Sequence, residues 1–146
     1  MTPCRCAALA LAGLLFLAVG IRAAEPGPAE EPLDLNSATL AQIQALVFTP
    51  ICSGCHNGSN PPTGALPGSQ NLTAGNSFAN VVNVPSIEAP ALLRVKPNDP
   101  ANSYLVRKLE GTAGIQGSRM PLGGPFLDQA TIDLVKTWIA SGAPNN

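Results

Sequence analysis

Apolar residues form one uninterrupted run near the start of the chain and recur at helical spacing in its later parts. The run covers residues 7–21 and contains no charged side chain. Beyond it, apolar residues three and four positions apart predict a helix over 37–48 and another over 101–109. A short helix is predicted over 77–82, and the clearest pattern predicts a last helix over 129–141. Proline and glycine are frequent between these segments, so we expect long loops to join the helices.

The first predicted helix has Asn36 or Ser37 as its cap and ends near Phe48. Its apolar stripe consists of Leu40, Ile43, Leu46 and Val47. Pro50 follows shortly after the stripe and is expected to disturb the helix, because proline lacks an N–H and its ring clashes with the preceding turn.

The last two predicted helices differ in how well their ends are marked. In the segment 101–109, the expected buried side chains are Tyr104, Leu105 and Leu109. In the last helix, Asp128 is the expected cap, while Gly142 and Pro144 end the helix. Its expected buried face consists of Ile132, Leu134, Val135, Trp138 and Ile139.

The apolar run near the start has the layout of a secretory signal peptide. Arg5 precedes it, and Ala23 and Ala24 follow as small residues suited to cleavage. The alternative is an uncleaved membrane anchor, but the run is shorter than the roughly 20 residues that a spanning helix needs. We therefore expect residues 1–24 to be a removed signal peptide. The mature protein would then be periplasmic or secreted, without stable insertion in a membrane.

Residues 25–32 are rich in proline and contain three acidic side chains, so they are predicted to be an acidic linker rather than part of a core. The folded domain is expected to cover residues 33–146. The whole chain has eight basic and nine acidic residues and a formal net charge of −1. Because no basic stripe is present, we expect no nucleic-acid partner.

Two of the four cysteines, Cys4 and Cys6, would leave with the signal peptide, and the other two precede a histidine. Cys52, Cys55 and His56 form the sequence Cys-x-x-Cys-His, which is typical of covalent attachment of a c-type haem. A structural zinc site would need four ligands, more than these residues supply. A disulfide suits an oxidising compartment, but it would leave His56 without a role.

The second iron ligand can be predicted by elimination. His56 is the only histidine in the chain, so two histidines cannot bind one iron within a molecule. Met120 is the only methionine besides Met1 and lies between Arg119 and Pro121 in a segment rich in proline and glycine. Met120 could instead fill a gap in the core, but a position in such a loop favours iron ligation. We expect His56 and Met120 to be the axial ligands of one haem c.

These motifs, in this order, resemble the class I cytochrome c family. The likeness rests on Cys52, Cys55 and His56, on Arg-Met-Pro at 119–121, and on Trp-Ile-Ala-Ser-Gly-Ala at 138–143. The segments Val-Lys-Pro-Asn-Asp-Pro at 95–100 and Ser-Tyr-Leu at 103–105 are similar to a bacterial branch of that family. The resemblance implies an all-α, cytochrome c-like domain wrapped around one covalent haem, with long Pro/Gly-rich loops. Candidates for contacts with the haem propionates are Arg94, Tyr104, Arg119 and Trp138.

The expected function is electron transfer, not catalysis, with redox proteins as partners whose identity the sequence does not reveal. With both axial positions filled, the iron would cycle between Fe(II) and Fe(III) without binding a substrate. One alternative is a haem enzyme or a gas or redox sensor in which Met120 is displaceable. Another is a cytochrome subunit docked on a larger oxidoreductase through the 25–32 arm.

Overall fold

A computed structural model describes residues 37–59 and 70–146 of the chain, all within one compact unit that extends from Leu33 to Asn146. The predicted signal peptide and linker lie outside the described residues. The helical elements are α1 (Leu40–Ile43), a π-helical segment (Gln44–Cys52), α2 (Ser77–Val81), a 3₁₀ turn (Pro100–Asn102), α3 (Tyr104–Glu110) and α4 (Gln129–Ala140). None of these described helices is long and apolar enough to span a membrane.

The first helix begins two to three residues later than the sequence suggested, because Thr39 and Gln42 form a capping box. The Gln42 amide donates to Thr39 Oγ1 at 3.1 Å, and the Thr39 amide donates to Gln42 Oε1 at 2.9 Å. Asn146 satisfies two further amides, accepting from Leu40 N at 3.0 Å and from Ala41 N at 2.9 Å. The prediction of Ser37 as the cap was therefore wrong, and Asn36 lies outside the described residues.

The first helix also continues past Pro50 as far as Cys52, in π-helical form from Gln44 onward. The ring of a proline clashes with the carbonyl four residues back in an α-helix, whereas bonding to the fifth residue back widens the turn. The altered winding also changes the buried face. Phe48 is fully buried and Leu46 is 45% exposed, so the predicted burial of Leu46 was wrong.

Helix α2 agrees with its prediction to within one residue, and the segment after it is held by isolated bridges. The described residues contain isolated β-bridges, single pairs of hydrogen-bonded backbone positions, but no β-strand. Leu93 pairs with Pro85 and with Ser103, and Val95 pairs with Val82. These bridges place residues 93–95 beside the end of α2 and the start of α3.

Helix α4 was predicted closely. Asp128 is its N-cap and accepts a hydrogen bond from the Thr131 amide at 2.7 Å, and Gly142 follows with a positive φ of 98°. The predicted apolar face is buried throughout, at Ile132, Leu134, Val135, Trp138 and Ile139. It joins the side chains of α1 and the π-helical segment in one hydrophobic core.

Helix α3 begins at Tyr104, after the 3₁₀ turn, and ends at Glu110. Tyr104 and Leu109 are buried as predicted, but Leu105 is only half-buried and Val106 is buried. Tyr104, Leu105 and Leu109 all line a cavity, which is described below. The described residues are partly helical and contain no strand, and the all-α, cytochrome c-like fold stays a prediction.

Candidate functional site

A cavity of about 700 Å³, counting the part open to solvent, lies between the end of the π-helical segment, α3 and the loop that follows α3. Its wall is mostly apolar and includes Leu72, Val81, Leu105 and Leu109. These four side chains carry no hydrogen-bonding atoms, so this part of the wall suits contact with an apolar group.

Cys52 and His56 reach the cavity from a single tight turn. The π-helical segment ends at Cys52, whose carbonyl accepts from Cys55 N at 3.2 Å and from His56 N at 2.8 Å. The His56 carbonyl in turn accepts from Leu72 N at 2.7 Å, which ties the turn to the next described segment. Cys52 and His56 both line the cavity, whereas Cys55 is exposed and is not part of its lining.

The two thiols of the motif are free and lie in different surroundings. Burial raises the pKa of the Cys52 thiol to about 11, and the neighbouring charge of Cys55 adds to the rise. Cys52 therefore stays a neutral thiol at physiological pH. One sulfur is on the cavity wall and the other is accessible from solvent.

Met120 lines the same cavity, although it is far from Cys52 and His56 in sequence. It belongs to the Met120 loop, residues 111–127, which joins α3 to the cap of α4. The Met120 amide donates to the Lys108 carbonyl at 2.9 Å, and Arg119 Nε donates to the Leu109 carbonyl at 2.7 Å. The loop is therefore bonded to the backbone of the last turn of α3 where the methionine enters the cavity.

Two polar side chains of the cavity wall, Tyr104 and Lys108, share the carboxylate of a third, Glu88. Glu88 Oε2 accepts from the Tyr104 hydroxyl and from Lys108 Nζ, both at 2.8 Å. Burial raises the pKa of the Tyr104 phenol. The hydrogen bond from the Gln116 backbone amide lowers this pKa, and the neighbouring Glu88 carboxylate raises it further. Sequence reasoning missed Glu88, because a single acidic residue in an irregular segment carries no signal of the side chains it will meet.

Two of the four candidates for propionate contacts line the cavity, and two do not. Arg94 is only 6% exposed and lines the cavity; its Nη1 donates to the Asn80 carbonyl at 2.7 Å, and burial lowers its pKa. Tyr104 is on the same wall.

Arg119 instead packs on Phe126, with its guanidinium 4.2 Å from the ring centroid. Trp138 Nε1 donates to the Pro144 carbonyl at 2.8 Å. Neither Arg119 nor Trp138 lines the cavity, and propionate contacts of all four residues stay a prediction.

The residues of this cavity fit a covalently held haem. An imidazole and a thioether are a ligand pair used for haem iron in c-type cytochromes, and both side chains border one apolar space with a thiol beside them. A buried guanidinium on the same wall suits a cofactor with carboxylate groups. Among residues 37–59 and 70–146 there is no cluster of three or more His, Cys, Asp and Glu side chains that could hold a metal ion.

Comparison of the chain with protein-family models, with curated proteins and with solved structures found no match. The resemblance to cytochrome c consequently rests on the motifs quoted above.

Proposed function

We propose that the protein is a periplasmic or secreted electron carrier with one haem c. Cys52 and Cys55 would hold it through thioether bonds, and His56 and Met120 would be the axial ligands. One observation supports this most: the single histidine and the single methionine beyond Met1 line one apolar cavity together with Cys52.

The haem, when bound, supplies an iron that accepts and releases one electron. The chain's own residues set how readily this happens. The imidazole of His56 and the thioether of Met120 favour the reduced state and raise the reduction potential. The apolar side chains of the wall, Leu72, Val81, Leu105 and Leu109, exclude water and disfavour the extra charge of the oxidised state. Because His56 and Met120 would both bind the iron, the proposed role is electron transfer rather than catalysis.

The partners in this proposal are redox proteins. The expected folded domain, residues 33–146, contains six basic and six acidic residues, so long-range attraction would contribute little to the rate of encounter. A carrier of this kind uses a small, short-lived interface, at the low end of known interface sizes.

Covalent attachment tests the proposal. The full chain is expressed in a host with c-type maturation, next to the variant C52A/C55A and the control Ser53→Ala, which changes the motif without removing a thiol. We expect haem stain to stay with the denatured wild-type chain and with Ser53→Ala, and intact mass to show one haem each. C52A/C55A should carry none. A wild-type chain without covalent haem would overturn the proposal.

A further inference from the structure

The Met120 loop depends on hydrogen bonds for its position. No residue from 111 to 127 is fully buried, and Leu127, beside the cap of α4, packs partly buried against the hydrophobic core. Segments with few buried contacts open more easily than the packed elements around them. Closer to Met120, the loop is held at the cavity by its polar contacts with α3.

Two of those contacts converge on Gln116. Its amide donates to the Tyr104 hydroxyl oxygen at 2.9 Å, and its carbonyl accepts from Lys108 Nζ at 2.7 Å. Tyr104 and Lys108 are one turn apart on α3, so they present their polar atoms side by side. The backbone of Gln116 is thereby held at both its donor and its acceptor.

Glu88, which lies in the irregular segment between α2 and the 3₁₀ turn, contacts both of these side chains. Its Oε2 accepts from Tyr104 and from Lys108, and it forms an ion pair with the ammonium at 2.8 Å. The Lys108 and Glu88 side chains are only 10% and 19% exposed, so solvent screens this pair much less than a surface pair. Loss of one partner would leave the other charge poorly solvated.

We propose that Glu88, Tyr104 and Lys108, here called the loop clamp, are positioning residues that hold the Met120 loop and so keep Met120 at the cavity. Lys108 contributes twice, because its side chain binds Gln116 and its backbone carbonyl binds the Met120 amide. The assignment of Met120 to the iron rests on the proposed function; the clamp's hold on the loop does not.

The test uses the full chain from a host with c-type maturation. Lys108→Leu removes the ammonium and brings no sulfur or nitrogen atom to the cavity that could bind iron. Glu88→Gln keeps an oxygen acceptor for both partners and removes the charge. Lys136→Leu is the matched control, because it breaks another Lys–Glu pair, to Glu110 at 3.0 Å, at a residue that does not line the cavity. Hydrogen exchange at the Met120 amide measures the hold on the loop, and carbon monoxide binding to the reduced protein measures access to the iron.

In Lys108→Leu we expect the covalent haem to remain while exchange at the Met120 amide speeds up by about tenfold or more. Carbon monoxide should bind to this variant, whereas the wild type is expected to exclude it. Glu88→Gln should change both readouts in the same direction by less, and Lys136→Leu should match the wild type.

Wild-type exchange and exclusion of carbon monoxide in both Lys108→Leu and Glu88→Gln would overturn the clamp. If Lys108→Leu does not fold, Glu88→Gln and Tyr104→Phe are measured in its place with the same two readouts, and wild-type behaviour of both would overturn the clamp. If the wild type holds no haem, the proposed function fails. Hydrogen exchange at the Met120 amide of the haem-free chain then still decides whether the clamp holds the loop.

Discussion

At the scale of single residues, Cys52 and Cys55 differ more than their shared motif suggests. Cys52 is half-buried with a thiol pKa of about 11, while Cys55 is exposed. The thiolate is the reactive form of cysteine. A rise in pKa from 9.0 to about 11 leaves roughly 100-fold less thiolate at neutral pH.

We therefore predict that iodoacetamide labels Cys55 well before Cys52 in the haem-free chain, made without c-type maturation. Mass spectrometry of the digested protein at timed intervals measures the two rates, and a denatured sample is the control in which the rates converge. Equal rates in the folded chain would contradict the assigned environment of Cys52. After haem attachment neither sulfur should react.

Met120 gives a second prediction at this scale. Met120→Ala removes only the thioether, because the backbone amide that bonds to the Lys108 carbonyl remains. We expect the variant to keep its covalent haem and to lose the long-wavelength sulfur–iron band of the oxidised spectrum. If the band survives, Met120 is not the ligand. Lys96 would then be a poor substitute, because it is half exposed and paired with Asp99, whereas Lys108 lines the cavity.

At the scale of secondary structure, the two ends of the domain were predictable to different degrees. Helix α4 has a capping aspartate, a regular apolar face and a glycine after its end, so local signals define it fully. The first helix has a true capping box at Thr39, but its π-helical winding after Ile43 has no counterpart in the spacing of apolar residues. The burial of Phe48 in place of Leu46 follows from that winding and could not be predicted.

The aspartate that caps α4 should make the stability of the protein depend on pH. Hydrogen bonds from the Thr131 amide lower the pKa of the Asp128 carboxyl in the folded state. A lowered pKa means that the stabilisation is present above the pKa of the unfolded chain, near 3.8, and is lost as the pH falls through the folded value. Asp128→Asn keeps a capping oxygen without a charge and should lose less stability than wild type on acidification below pH ~4. Urea titrations at several pH values would measure this; identical acid dependence of both proteins would refute it.

Trp138 ties α4 to the rest of the core. It is fully buried, and its indole N–H donates to the Pro144 carbonyl at 2.8 Å. Trp138→Ala should lower the free energy of unfolding by about 3–5 kcal/mol, because it leaves a large cavity. Phe126 is 50% exposed and offers a control. Phe126→Ala should change the free energy of unfolding by roughly 0.5 kcal/mol or less. Comparable losses in the two variants by urea unfolding would show that Trp138 is not a core residue.

At the scale of the whole molecule, the candidate site shows what sequence can and cannot predict. Cys52, His56 and Met120 could be proposed as a group because each was singled out by a motif or by being the only residue of its type. The structure places these three on one cavity. Glu88 and its bonds to Tyr104 and Lys108 could not be foreseen, because they join an irregular segment, a helix and a loop that only folding brings together.

The visible spectrum of the oxidised and reduced protein, with and without carbon monoxide, tests the electron-carrier account most directly. The protein is purified from a host with c-type maturation, and a pyridine spectrum identifies the haem type. An electron carrier with His56 and Met120 as iron ligands should give a c-type, low-spin spectrum with a sulfur–iron band when oxidised and no response to carbon monoxide when reduced. A high-spin spectrum that responds to carbon monoxide, or no haem at all, would contradict it.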